Sequence, residues 1–336
     1  MRITIIFIKS INRFTIFKIN YKNTILIYKI IYIMSIEHTI FSYNMSWASA
    51  SGFFGDNVPR CSEHEFLKRA KKKFEFWDNA LQHLEGFISE KKPTIFGLQE
   101  VILPTCKKEE RYSKDNRGFN EKWHGTIDHI RSLAFYEGKY HSKVGDVTYI
   151  NDQNEEITSC VATFWDYELG EKINERCVNL TTDDGRPLSM IHTAKGYILI
   201  NLHAPHRYTL KDISSEINYH LTSFILDKNI EWVSSRIYIT GDFNNIEINN
   251  KNPLVLFPGT ELEIKMTPGE AAVKSCCFGS GRNLKDYEKV GDYCLGKKIA
   301  KRGDLQIDVT QIISESGRSK ESDHELVWAR FLDNND

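Results

Sequence analysis

Six short polar signatures follow one another along the chain: Tyr43-Asn44, Leu98-Gln99-Glu100, Asn201-Leu202-His203, Gly241-Asp242-Phe243-Asn244, Gly291-Asp292-Tyr293 and Ser322-Asp323-His324. Each stands at or near the end of an apolar run. Their carboxylates and side-chain amides are hard oxygen donors of the kind Mg²⁺ takes, with Mn²⁺ as a substitute. Their two histidines add groups that can move a proton near neutral pH or hold a phosphate. The combination suits phosphoester hydrolysis, which needs an activated water, neutralised phosphoryl oxygens and a stabilised leaving oxygen. A single GDFN or SDH occurs by chance; all six in one chain do not.

Local geometry sharpens this reading. Glu100 ends a buried strand, where an unpaired carboxylate is costly and a bound cation removes the cost. Asp242 and Asn244 are two apart, so in an extended segment both face one side while Phe243 packs inward. Asp323 and His324 are adjacent and point in different directions. Other polar residues have blander alternatives. His206 and Arg207 read equally well as helix-entry residues or phosphate contacts, and Trp47 as core or as a stacking platform. Lys297, Lys298, Lys301 and Arg302 read best as a solvated loop, and the basic run Lys68 to Lys73 as a solvated helix face.

The elements that carry these groups follow from periodicity. Ile36 to Ser42 is a short β-type run. Phe66, Ala70, Phe74, Trp77, Leu81, Leu84 and Ile88 recur at steps of three and four, which predicts an amphipathic helix after a Ser62-to-Glu65 capping box. Pro93 to Leu98 reads as a buried strand. A long polar loop over 103–122 is a place for substrate selection, and a helix follows near 124–136. An alternating region runs through Val144, Val147, Tyr149 and Ile157, and Cys160 to Trp165 is a strand. Arg186 to Ala194 and Tyr197 to Leu202 are strands joined at Gly196. Ser214 to Asn229 reads as a helix, and Arg236 to Thr240 as the strand that delivers Asp242. Residues 245–290 read as irregular, Tyr293 to Leu295 as a short strand and Leu326 to Phe331 as the last.

Residues 1–33 differ from the rest. They hold six basic residues and no acid, and those bases interrupt every apolar run before it reaches the ~18 residues of a membrane span. They read best as an extension upstream of a start at Met34, with a surface-targeting segment or an ordered part of the fold as alternatives. Membrane contact through 1–33 is not expected. The division is therefore 1–33 as an extension outside the fold and 34–336 as one catalytic domain. The whole chain carries a net charge of −1; without its first 33 residues it has 38 Lys+Arg against 45 Asp+Glu. An acidic body lacks the strongly basic footprint of many nucleic-acid binders, without excluding a cation-loaded cleft that accepts phosphate. Seven cysteines with no C-x-x-C pair indicate neither zinc nor a disulfide framework, and point to an intracellular, reducing compartment.

Taken together, the six signatures resemble the endonuclease/exonuclease/phosphatase superfamily, from Ile40 to Phe331. Within it, His203-Ala204-Pro205 followed by Glu216-Ile217-Asn218 resembles the DNase I-like branch. The resemblance implies an α/β (α+β) fold, a four-layer α/β/β/α sandwich of two mostly antiparallel sheets flanked by helices. It also implies roles. Asn44, Glu100, Asp242 and Asp323 would surround the metal, with Asn44 orienting Glu100 or touching the metal shell and Asp242 holding the attacking water or a second metal. Asn244 would bond a phosphate oxygen. Asp292 would couple to His324, which would serve as general base or cationic clamp. His203 would sit on the leaving-group side, as general acid or phosphate contact, supported by Glu155 or Glu156. The expected partner is a phosphoester, nucleic acid first, with phospholipid, inositol phosphate or nucleotide substrates as the alternative. No obligate protein partner is expected. An inactive binding module would lose one or more of these positions, and none is lost.

Overall fold

The computed structural model describes residues 6–9, 15–21, 24–29, 35–45, 82–101, 139–150, 156–181, 185–230, 235–268, 275, 290–298, 310–317, 324 and 326–334. The capping box at Ser62, the loop over 103–122 and the helix near 124–136 lie outside these residues. So do Asp323, Glu155, Trp47 and the basic run from Lys68.

Among the described residues, strands β1 (Ile6–Lys9), β2 (Thr15–Tyr21) and β3 (Thr24–Lys29) pair only with one another, as a small antiparallel sheet. The two large sheets begin after them. Strand β4 (Ser35–Asn44) precedes helix α1, residues 82–91, and β5 (Ile95–Gln99). A hairpin of β6 (Tyr140–Ile150) and β7 (Glu156–Asp166) follows, then β8 (Lys172–Asn179), β9 (Pro187–Thr193) and β10 (Tyr197–His203). Helix α2 (Leu210–Asp227) leads to β11 (Arg236–Asp242), the short hairpin β12 (Leu254–Leu256) and β13 (Ile264–Met266), then β14 (Asp292–Lys298), β15 (Thr310–Gly317) and β16 (Leu326–Asn334). One sheet has the order β15-β16-β4-β5-β7-β6 and the other β14-β11-β10-β9-β8. All neighbours are antiparallel except β4 with β5 and β10 with β11.

Burial explains why the strands read as near-continuous apolar runs. Every residue of β5, β9 and β10 is buried, because each sheet is covered on both faces. One face of the five-stranded sheet packs on α2 through Ile213, Ile217, Leu221, Phe224 and Ile225, spaced for one helix face. One face of the six-stranded sheet packs on α1 through Leu84, Phe87 and Ile88, against Phe41, Phe96 and Trp328. The inner faces meet through Ile40, Trp165, Leu199, Tyr238, Val327 and Phe331. The result is the four-layer α/β/β/α sandwich.

Gly97 shows how closely the sheets approach. A Cβ there would overlap Thr240 Oγ1 and lie 2.9 Å from Asn201 Oδ1, both on the opposite sheet. Helix α2 starts four residues before the predicted Ser214. Thr209 caps it, its hydroxyl accepting from the Asp212 N–H while the Asp212 carboxylate accepts from the Thr209 N–H; this box uses Asp at the position where Glu is the usual cue. The described part of 245–290 is not wholly irregular, since β12 and β13 pair there and bury Leu254, Leu256, Ile264 and Met266 on the α2 layer. Short three-residue strands carry too little alternation to stand out in a sequence. Strands β8 and β15, also unpredicted, lie at the outer edges of the two sheets. Among the described residues, no helix is long and apolar enough to cross a membrane.

Candidate active site

Register alone brings three signatures to one level of the five-stranded sheet. His203 pairs with Asp242 across the parallel β10–β11 ladder, and Asp242 pairs with Asp292 across the antiparallel β11–β14 ladder. Residues in register project to the same face of a sheet. In the opposite sheet Asn44 ends β4 beside Gln99, Glu100 follows β5, and His324 precedes β16. All six ends lie at one edge of the sandwich, and the two sheets close on each other there.

Asp242 Oδ2 is the meeting point. It accepts from Asn44 Nδ2 at 2.7 Å, and it lies 3.6 Å from His203 Nε2 and 3.8 Å from His324 Nε2. Asn44 Nδ2 also reaches Glu100 Oε1 at 3.4 Å, which in turn is 3.8 Å from His203 Nε2. The second Asp242 oxygen accepts from the Asn244 backbone N–H at 2.7 Å. Asn44, Asp242, Asp292, His203 and His324 are buried, whereas the Glu100 side chain is 22% exposed. Burial pushes the Asp242 carboxyl upward, and the neighbouring Asp292 adds to this against the pull of His324. A buried carboxylate held this way gains most from a cation. Asp242, Asp292 and His324 offer ligand atoms within 4.8 Å of one another.

His324 Nδ1 donates to Asp292 Oδ2 at 2.9 Å. That bond assigns the tautomer, leaving Nε2 toward Asp242 as the basic atom. Asp292 is held in turn by Ser275, whose hydroxyl accepts from the Asp292 N–H at 2.8 Å and the Gly291 N–H at 3.2 Å. His203 is in a different state. Burial, then Arg186, His206 and His324, hold its pKa well below the usual range, which favours the neutral imidazole. Arg186 Nη1 lies against its ring, 2.5 Å from Nε2 and 3.0 Å from Nδ1, and can donate to whichever of the two carries no proton.

Two site residues sit in left-handed backbone, Glu100 at φ 52° and Asn244 at φ 55°. Asn tolerates that conformation; Glu pays strain for it. The chain therefore turns at Asn244, and Asp242 and Asn244 are not the expected extended i, i+2 pair. The Asn244 side-chain nitrogen donates to the Ala204 carbonyl at 2.6 Å. Phe243 packs inward in the α2 layer, as its apolar ring requires.

The structure thus gathers Asn44, Glu100, His203, Asp242, Asn244, Asp292 and His324. Arg186 was not singled out by its sequence. Its signal was the β9–β10 hairpin: counting back from the Gly196 turn, Leu188 pairs with Leu202, which puts Arg186 at the His203 end. Gln99 and Asn201 also act behind the site. Gln99 Nε2 donates to Asn201 Oδ1 at 2.7 Å across the sheets, and Asn201 Nδ2 donates to the Ala162 carbonyl at 3.0 Å.

The chain is similar to the crystal structure of D. rerio TDP2 complexed with a single-strand DNA product, at 11% identity and a TM-score of 0.50, covering 88% of this chain and 98% of that one. It is also similar to an endonuclease/exonuclease/phosphatase family protein from Bacteroides thetaiotaomicron, at 12% identity and a TM-score of 0.48, covering 89% and 96%. A mannosyl-6-phosphatase from the same organism is similar at 11% identity and a TM-score of 0.47, covering 88% and 99%. No protein-family model matches the chain, and no curated protein matches it. The likeness to the TDP2 structure is one of fold, two packed sheets flanked by helices.

Proposed function

We propose that the chain is a divalent-metal-dependent phosphoesterase that hydrolyses phosphodiester bonds, a DNase I-like endonuclease, with residues 34–336 as its catalytic unit. The observation that carries this reading is the convergence on Asp242 Oδ2 of an amide and two imidazoles from both sheets. Glu100, Asp242 and Asn44 form a donor set suited to Mg²⁺ or Mn²⁺, to which the family resemblance adds Asp323. Such an ion, when bound, neutralises charge on the phosphoryl and leaving oxygens.

The protein's own groups do the rest. Asp292 holds His324 so that Nε2 faces the Asp242 carboxylate, where the pair can orient a water and take its proton. Neutral His203 stands on the other side of Asp242 with Arg186 behind it. The half-buried guanidinium supplies fixed positive charge for a phosphoryl oxygen. Asn244 closes the floor through Ala204. In the test, the full chain nicks supercoiled plasmid with Mg²⁺ and not with EDTA, and Asp242→Ala abolishes nicking. No nicking by folded protein would overturn the nuclease reading. The acidic body favours a second reading, a phosphatase or phosphodiesterase for phosphoinositide, sphingolipid or nucleotide substrates, and hydrolysis of those by the same protein would establish it.

A further inference from the structure

A second polar cluster crosses the sheets at the end of the sandwich away from the site. Arg236, at the start of β11, ion-pairs through Nε with Asp333 Oδ2, near the end of β16. His38 on β4 lies 3.8 Å from the same oxygen through Nε2. Asp333 and His38 are buried. Around them Tyr197 and Tyr238 stack at 6.2 Å, the His38 ring meets both edge-on at 5.7 and 5.6 Å, and Arg236 lies over Tyr197 at 5.6 Å. Tyr197, Arg236 and Tyr238 belong to the five-stranded sheet, and His38 and Asp333 to the six-stranded one.

A buried ion pair is a poor source of stability, since apolar residues of the same volume stabilise as well or better. Its distinguishing property is direction, because a charged pair specifies one alignment of its two supports. The supports here are the strands of the site. Strand β4 carries His38 and then Asn44; β11 begins with Arg236 and ends with Asp242; β16 carries Asp333 and starts two residues after His324. Six residues of strand span about 20 Å of stiff, hydrogen-bonded backbone. At the far end, both critical contacts also cross between the sheets, Asn44 to Asp242 at 2.7 Å and His324 to Asp292 at 2.9 Å. Hydrogen bonds weaken over a few tenths of an ångström, so a small shear of one sheet on the other would break them.

We infer that Arg236, Asp333 and His38 are positioning residues, a polar clamp that sets the alignment of the two sheets on which the Asn44–Asp242 and Asp292–His324 contacts depend. The inference rests on the proposed function only in naming those contacts as the ones that matter.

The test reads the His324 Nδ1 proton by NMR in the full chain with EDTA present, its far-downfield resonance assigned by its loss in His324→Gln. Two variants are compared with wild type: Asp333→Asn, and the apolar pair Arg236→Met with Asp333→Leu. A third, Leu221→Ala, opens a cavity under α2, remote from the clamp, and serves as the control for lost stability. The expected result is loss or upfield movement of the resonance in both clamp variants, and no movement in Leu221→Ala even where its urea midpoint falls as far as theirs. An unmoved resonance in the clamp variants would overturn the inference, as would equal movement in Leu221→Ala. No metal or substrate enters the measurement, so a failed plasmid assay and an unmoved resonance are separate results.

Discussion

Asn44 and Asp242, 198 residues apart and on different sheets, are joined by a 2.7 Å hydrogen bond from the amide nitrogen to a carboxylate oxygen that two imidazoles also face. The bond ties the ends of two strands together and places the buried carboxylate beside Glu100. Function and stability pull against each other at this point, since the charge that a cation needs is costly to bury without one.

Asp242→Asn separates the two. The amide keeps an oxygen for the Asn244 N–H and removes the buried charge, and the Asn44 amide can turn its own oxygen to the new NH₂, so the metal-free protein should unfold at an unchanged or higher urea concentration. Hydrolysis of bis(p-nitrophenyl) phosphate should fall by about 10²-fold or more. Loss of stability alongside full activity would contradict the assignment.

Glu100 should reverse the usual order of Ala and Gly. At φ 52° an Ala side chain is strained and Gly is not. Glu100→Gly should therefore be more stable than Glu100→Ala by about 1 kcal/mol in thermal unfolding. Both should bind Mn²⁺ more weakly than wild type by calorimetry.

His203 makes stability depend on pH. Its folded pKa lies below the ordinary 6.5, through burial first and then Arg186, so the unfolded chain binds the extra proton. Stability from this group is present above pH 6.5 and is lost as pH falls toward the depressed folded value, by up to about 1.4 kcal/mol per pH unit. Asp242 works in the opposite direction: its pKa is raised, so the fold keeps a proton there and loses stability as pH climbs from 3.8 through the raised value. Urea unfolding at pH 7.5 and 5.5 with EDTA should show the loss in wild type and a smaller one in His203→Gln.

Arg186→Lys keeps the charge and loses the planar fork that sits against His203. We expect kcat/KM to fall about 10- to 100-fold, roughly 1.4–2.7 kcal/mol of transition-state stabilisation. Steady-state kinetics checks this, and wild-type values would remove Arg186 from the site.

Two glycines should respond oppositely to Ala. Gly97→Ala drives a methyl into Thr240, and should cost about 1–3 kcal/mol or more, relieved in part by Thr240→Ala. A methyl added at Gly86 in α1 would meet nothing within 4 Å, so Gly86→Ala should stabilise by about 0.5–1 kcal/mol. Denaturant midpoints of these variants against wild type decide.

Much of this molecule was legible in one dimension because its cues are local. The runs Pro93 to Leu98, Tyr197 to Leu202 and Arg236 to Thr240 read as strands since both of their faces are covered, and the polar residues that end them stand out against that background. The order of the six signatures carried the fold class. The α2 start lies earlier than its periodicity predicts because its cap uses Asp212, and β12 and β13 are too short to show a period.

The sequence by itself thus determined the strands that lead into the polar signatures and which polar groups stand at their ends, because periodicity and strand-end polarity are properties of neighbouring residues. Tertiary structure alone decided the rest. The sheet-to-sheet approach at Gly97 sets how near Asn44 comes to Asp242. The β9–β10 register brings Arg186 to His203, and the backbone turn after β5 puts Glu100 at φ 52°. Each depends on how one sheet lies on the other or on a hairpin's count, and such distances arise from packing between residues far apart in the chain.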